Sequence, residues 1–554
     1  MFVVFEGIDG SGKTTLSDRV SALLEKEGVS TFHARPKGEL KSKLASRIRE
    51  MARDPRTLTM SPHTELLLYL ARDCQMIDTV IRPALHNADV VIADRYVYSP
   101  GILSQARGEV DAADIDTATN LVARGLWPDL VVYCDVDIHT SDLRKKLDKI
   151  VNLREPNDFG RKGLRGLGLR RAMRDAYLQK ATDNPQTWVH VDNATKSVAE
   201  NAVFIANHIL QRLKRPPIEM PAELPKPIVL QSLQNNTPRT PIFYDYLHQL
   251  AAQGYHRMAL HHARSLDDEH AWALREKYAD AEPEVVALGI EPLNSERALR
   301  LRHHLADVVP RHVALSLKTA WADADPQAFA LRQKLLGKAP IEVAQTLNRL
   351  DTDEAWQLRE RLWDDKDNRG AVLSSLRYID TERAWELRRK AKKGRLSWGL
   401  LQGLAGIDTD EAWALRERWR RDYLPWVILS LQGIDTERAW AIRRDNETRA
   451  TKLVSKSTMG LESDEAWDMR DRQALWDKEA VSSIKGSDHP RAWQLRERLI
   501  DVWPMYVAKS VGLILGQTER GRAFMERMAE AHPHDPEVAH YLVKLEHVAA
   551  GETP

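Results

Sequence analysis

MFVVFEGIDGSGKTTLSDRVSALL, residues 1–24, decides how the amino-terminal third of the chain is built. The apolar run Met1 to Phe5 leads through Glu6 into Gly7-Ile8-Asp9-Gly10-Ser11-Gly12-Lys13-Thr14, which has the spacing of a phosphate-binding loop. Gly7 and Gly12 let the backbone curl so that successive N–H groups point at phosphate oxygens, Lys13 adds a positive charge, and Thr14 is placed to ligate Mg²⁺. After Thr15, the residues Leu16, Val20, Leu23 and Leu24 form a stripe at helical spacing, so a helix N-terminus faces the anion. Strand, loop and helix follow in the order that the chemistry requires.

Working outward, apolar runs recur at Asp89 to Ala93, Leu130 to Cys134 and Trp188 to Val191, with helical stretches between them. This alternation predicts an α/β domain, a parallel sheet with helices on both faces. Ligands in that class bind beyond the carboxyl ends of strands, which singles out Arg35, the pair Asp94-Arg95, and Asp135 with Asp137. Asp94 suits a metal and Arg95 a phosphate held bidentately. Asp135 and Asp137 read better as caps of the following helix than as ligand contacts. From Asn152 to Arg174 glycines alternate with Arg154, Arg161, Arg165, Arg170, Arg171 and Arg174. This reads as a lid whose guanidinium groups neutralise the charge that spreads over a phosphoryl group in transfer, with Arg161 and Arg165 as catalytic candidates.

The chain has 554 residues, enough for three or four domains or a repeat array. Its 81 basic side chains balance 80 acidic ones, leaving no global pull toward nucleic acid or anionic membrane. Cys74 and Cys134 are too few for a disulfide framework or a zinc site, which favours a reducing compartment. With no charged leader and no run of eighteen apolar residues, the expectation is a cytoplasmic protein.

The segments FEGIDGSGKTT (Phe5 to Thr15), TELLLYLARDCQMIDTVIRPAL (Thr64 to Leu85), VVIADRYVYS (Val90 to Ser99), GLWPDLVVYCDVD (Gly125 to Asp137) and AYLQKATDNPQTWVHVDN (Ala176 to Asn193) together resemble the thymidylate kinases. That family of phosphate-loop nucleoside monophosphate kinases would occupy about the first 210 residues. The resemblance implies transfer of the γ-phosphoryl group of ATP to dTMP with Mg²⁺. It assigns the ATP site to Gly7, Asp9, Gly10, Ser11, Gly12, Lys13, Thr14 and Thr15, with Asp9 also meeting the acceptor 3′-hydroxyl. Arg35 and Arg95 would grip the acceptor phosphate, Asp94 would serve the metal with Thr14, and Arg72 would lie near the base. Gly10 stands where some members carry a loop arginine, and members without it look to the lid. Homodimers formed through helices of the first domain are also common in the family.

Departures gather on the acceptor side. The family places an aromatic four residues before the pocket arginine; here that position is Leu68, and Tyr69 lies one step away. An Ala-Tyr-Gln segment gives way to Ser99-Pro100-Gly101-Ile102-Leu103-Ser104-Gln105, and an Arg-Glu-Pro-Gly-Gly segment to Ala34-Arg35-Pro36-Lys37-Gly38.

Prolines at 216, 217, 221, 225 and 227 end this domain at about residue 213 and predict an extended connector over 214–227. From 228 to 554 one phrase returns, as in Ala412-Trp413-Ala414-Leu415-Arg416. Its Trp position recurs at Trp272, Leu299, Phe329, Trp356, Trp385, Trp413, Trp440, Trp467, Trp493 and Phe524; the gaps after Trp356 are 29, 28, 27, 27 and 26 residues. The period fits about ten helix pairs in an α-solenoid with atypical end units, Trp packing inside and Arg solvated or in ion pairs. Two functions fit. One is a kinase whose array binds a protein partner or regulates it. The other is a nucleotide-sensing switch in which the array engages a protein or nucleic acid.

Overall fold

Five apolar runs become five parallel strands: β1 (Phe2–Glu6), β2 (Thr31–His33), β3 (Val90–Asp94), β4 (Leu130–Asp135) and β5 (Trp188–Asp192), in the order β2-β3-β1-β4-β5. The computed structural model describes residues 1–153, 160–220, 228–233, 238–391 and 397–550. It divides into one unit of Met1–Lys146 with Phe159–Pro227 and another of Leu147–Asp158 with Ile228–Pro554. Among the described residues no helix is long and apolar enough to cross a membrane.

In the first unit β1, β3 and β4 are wholly buried, as continuous apolar strands must be when both faces are covered. The covering helices include α1 (Lys13–Lys26), α2 (Lys43–Arg53), α3 (Pro62–Met76), α4 (Tyr98–Arg107), α5 (Ala112–Ala123), α6 (Ile138–Val151), α7 (Gly166–Asp183) and α8 (Val198–Arg212). The stripe of α1, Leu16, Val20 and Leu24, packs with Ala202, Ile205 and Ile209 of α8 on Val3, Phe5, Ile92 and Val132. Each of those α1 side chains contributes about 2 kcal/mol by leaving water. Ser42, Ser61 and Ser197 cap α2, α3 and α8 with their hydroxyls. After α8 the chain turns back, and the Asn207 amide brackets the backbone of Ile218 at 2.7 and 2.9 Å, so the connector starts docked rather than extended. Pro221, Pro225 and Pro227 lie outside the described residues.

The second unit repeats a longer helix, a turn and a shorter helix. All ten Trp-equivalent positions fall in the first helix of a pair, the longer one in most units, as in Asp410–Trp419 followed by Leu424–Ser430. Trp413 donates its indole N–H to Asp408 at 2.6 Å, and the same bond recurs from Trp356 to Asp351 and from Trp440 to Asp435. The recurrent Arg is not solvated. Arg416 is fully buried, donates to the carbonyls of Leu404 (2.8 Å), Ile407 (2.9 Å) and Ser430 (3.1 Å) and to the Ser430 hydroxyl (3.0 Å), and lies 4.8 Å from the Trp413 ring centre. Carbonyls at the ends of short helices lack helical partners, and one planar guanidinium satisfies several of them. Arg359, Arg443 and Arg496 repeat the clasp.

Nor do the two ends of this array stand free. The helix Arg239–Ala252 packs against Pro536–Ala549. Arg239 meets Glu526 at 3.0 Å, Thr240 meets Glu546 at 2.8 Å, and Arg264 meets Glu537 at 2.9 Å. The stack therefore closes into a ring.

Candidate active site

Register brings the site together. Phe5 of β1 pairs with Asp94 of β3, and the Arg95 N–H donates to the Phe5 carbonyl at 2.9 Å, so the end of β3 lies beside the start of the phosphate loop. Gly7 has φ +140°, and a Cβ there would stand 2.4 Å from the Cys134 carbonyl, so only glycine fits. Asn193, just past β5, braces the loop by donating to the Ser11 carbonyl at 2.7 Å. Lys13 is buried and donates to the Ile8 carbonyl at 2.7 Å and the Ser11 hydroxyl at 3.3 Å. Burial, reinforced by Arg95, lowers its pKa to about 8 against the pull of Asp94 and Asp9. No acid occupies the first turn of α1, where Thr14 and Thr15 lie, so nothing there opposes an anion.

Thr14 donates to one Asp94 oxygen at 2.6 Å, while the other oxygen is buried without a hydrogen-bond partner. Burial pushes the Asp94 carboxyl up, but Lys13, Arg35, Arg95 and the Thr14 bond outweigh it and hold it below the usual range. It is therefore ionised at neutral pH. Arg95 has a left-handed backbone, φ +75°, which costs a side-chain-bearing residue about 1–2 kcal/mol. Its guanidinium compensates with bonds to the Gly7 carbonyl (3.0 Å), the Ser99 hydroxyl (2.9 Å) and Asp9 (2.5 Å). Burial opposes its charge, yet Asp9, Tyr177, Glu6 and Asp94 raise its pKa further.

Beyond Arg95 opens a cleft lined by Ala34, Arg35, Leu40, Arg72, Asp73, Met76, Ile81, Ala93, Asp94, Arg95 and Tyr96. Arg35, Arg72 and Arg95 thus face one space. Arg35 is tied to the carbonyls of Gly38 (2.8 Å) and Asp94 (3.3 Å). Arg72 is held by Asp73 through two bonds of 2.8 Å, and its guanidinium lies 5.2 Å from the Tyr69 ring centre. Tyr69 is buried on the Arg72 side of α3, whereas Leu68 is half-buried and does not line the cleft. Ser99 accepts from Arg95 and donates to Glu6, and it does not line the cleft.

The sequence model of the thymidylate kinase family matches residues 5–204. A thymidylate kinase of Pelobacter propionicus is 33% identical over 212 residues, 38% of this chain and 94% of that protein. The chain belongs to the thymidylate kinase family. A thymidylate kinase of Trichlorobacter lovleyi is 32% identical over 218 residues, 39% of this chain and all of that protein.

The thymidylate kinase loop of this chain leaves little room for a side chain at Gly10. A Cβ at that residue, φ +86°, would lie 2.7 Å from the Ser141 carbonyl of α6. Among the described lid arginines, Arg170 reaches this place: it donates to the Ser141 hydroxyl at 3.0 Å, which in turn donates to the Asp9 carbonyl at 2.8 Å. Arg161 and Arg165 are held away from the loop, by Glu65 at 2.8 Å and Glu109 at 2.9 Å. Arg174 is engaged by Asp135 at 2.7 Å, so Asp135 is an ion-pair partner, while Asp137 caps α6 through the Thr140 N–H at 2.9 Å. Arg154 lies outside the described residues.

Glu6 and Tyr177 escaped the sequence reading. Glu6, fully buried, accepts from the Tyr96 N–H (2.9 Å), the Ser99 hydroxyl (2.6 Å) and the Tyr177 hydroxyl (2.8 Å), 3.9 Å from Arg95. Burial raises its pKa against those partners. A lone acid closing an apolar strand was the available signal. Nothing in the sequence marked Tyr177.

Proposed function

We propose that the chain transfers the γ-phosphoryl group of ATP to dTMP. The observation that carries this reading is the placement of Asp94 and Arg95 between the phosphate loop and the arginine-lined cleft, one for each partner in the transfer. The loop amides and Lys13 bind the donor phosphates; Arg35 and Arg95 bind the acceptor phosphate; Arg72, oriented by Asp73, lies against the base with Tyr69 beside it. Asp9 accepts from the acceptor sugar hydroxyl and fixes the Arg95 fork. Arg170 neutralises charge on the moving group from the lid side.

Thr14 and ionised Asp94, whose second oxygen lacks a partner, fit Mg²⁺ and would hold it. When bound, the metal neutralises charge on the donor phosphate oxygens. Everything else falls to the chain: it aligns two phosphates in line and excludes water. The array is read as a regulatory or partner-binding appendage.

The test is a panel of nucleoside monophosphates supplied with ATP and Mg²⁺ to the full chain, with diphosphate product measured. The reading expects dTMP to give the highest kcat/KM. ATP bound without turnover of any acceptor would replace it with the sensing switch.

A further inference from the structure

Closure of the helix ring gathers basic side chains at its centre. In three helix pairs the second residue after the clasped serine is basic: Lys318 after Ser316, Arg377 after Ser375 and Lys485 after Ser483. Just before the equivalent Ser457 and Ser510 stand Lys456 and Lys509, and Lys544 comes from the closing helix Pro536–Ala549. Lys318 follows the short helix Pro310–Leu315 and Lys456 belongs to Thr451–Ser457, five steps apart round the ring, yet Lys456 counts in the electrostatic surroundings of Lys318. Glu291 likewise feels both Lys485 and Lys509. These side chains therefore face a common space inside the ring, near enough for their charges to act on one another.

The cluster is under-neutralised. Among the described residues no carboxylate lies within 4 Å of the Lys318, Lys485, Lys509 or Lys544 ammonium group. Arg377 bonds Gln402 at 3.0 Å, and its buried Nε has no partner. Of the acids nearby, Glu537 is engaged by Arg264, Glu479 is shared by Lys452 and Lys456, Glu291 is a single carboxylate facing Lys318, Lys485 and Lys509, and burial raises the Asp477 pKa to about 7. Burial and neighbouring cations lower the pKa of Lys318, Lys456 and Lys509 and pull Lys544 down to about 7. Lys318, Lys485 and Lys509 nevertheless remain open to solvent, as groups lining a concave space do. Repelling charges held together cost stability, and a multiply charged anion would remove that cost.

We propose that the centre of the ring binds a small phosphate-rich anion, the phosphate chain of a nucleoside triphosphate or an inorganic polyphosphate, through Lys318, Arg377, Lys456, Lys485, Lys509 and Lys544. A passage whose opposite walls feel one another admits a compact ligand. The site is separate from the phosphate loop and does not rest on the kinase reading.

The experiment uses the full chain carrying Lys13→Ala, so that the loop is silenced, and titrates inorganic tripolyphosphate by calorimetry. Saturable binding is expected, about tenfold weaker in each of Lys485→Gln and Lys509→Gln, the scale of one charge-assisted hydrogen bond, and retained in Lys509→Arg. The unliganded glutamine variants should melt no lower than their parent, since each removes a repelled charge. Displacement by ATP or dTTP at matching concentration assigns a nucleotide; failure to displace assigns the inorganic chain. No saturable binding, binding indifferent to the lysine variants, or preference for a single-stranded oligonucleotide would overturn the proposal. None of those results would bear on turnover at the loop.

Discussion

Arg170→Ala separates a charge-neutralising lid residue from a structural one. Its contacts are a 3.0 Å bond to the Ser141 hydroxyl and a 3.7 Å approach to Asp142, with the side chain largely covered. One such bond and a loose pair sum to about 1 kcal/mol of stability. A guanidinium that meets the transferred group only in the transition state is worth far more, about a thousandfold in kcat or about 4 kcal/mol. The substitution should therefore leave the melting temperature within a few degrees and KM for dTMP within about threefold, while kcat collapses. Arg165→Ala is the matched control: it removes a two-pronged contact with Glu109 at 2.9 and 3.1 Å, costs about 1 kcal/mol, and should change kcat less than about threefold. The assay is steady-state dTDP formation by both variants, with thermal melts alongside. Equal losses of kcat, or an Arg170→Ala enzyme within about threefold of the parent, would refute the assignment.

Other predictions follow the same geometry. Lys13, at about 8, loses its proton as pH climbs through that value, and bound phosphates raise its pKa, so binding takes up a proton and weakens in alkali. The Kd for a non-hydrolysable ATP analogue should rise about fivefold from pH 8 to 9, a slope absent in Lys13→Arg; a profile with equal slopes in both would contradict it. Gly10→Arg, forced into the left-handed region and against the Ser141 carbonyl, should weaken analogue binding at least about tenfold by calorimetry. Arg416→Met leaves the carbonyls of Leu404, Ile407 and Ser430 unmet and should cost about 3–5 kcal/mol in urea unfolding, against about 1 kcal/mol for Ser430→Ala.

What the sequence shows, and what it hides, follows from the range of each interaction. The phosphate loop is legible because its chemistry lies within eight consecutive residues, and Asp94-Arg95 because a strand end names its own neighbours. The repeats are legible as helix pairs because one phrase recurs at one helical phase. The fate of their arginines is not: Arg416 sits beside Glu417, which suggests a solvated pair, and only carbonyls 9, 12 and 14 residues away decide that it is buried. Ring closure joins Arg239 to Glu526 and Arg264 to Glu537, contacts that no local period encodes. Arg170 cannot be chosen from six lid arginines until α6 sets Ser141 against Asp9, and Tyr69 is distinguished from Leu68 only by which side of α3 is covered.

The claim at the centre, that one pocket holds a triphosphate donor and a nucleotide acceptor for direct transfer, is tested most directly by mixing γ-labelled ATP, Mg²⁺ and dTMP with the full chain and with its Lys13→Ala variant. Label should pass to dTDP in the first and fall at least a thousandfold in the second. Label retained in ATP, or released only as inorganic phosphate by the intact chain, would contradict it.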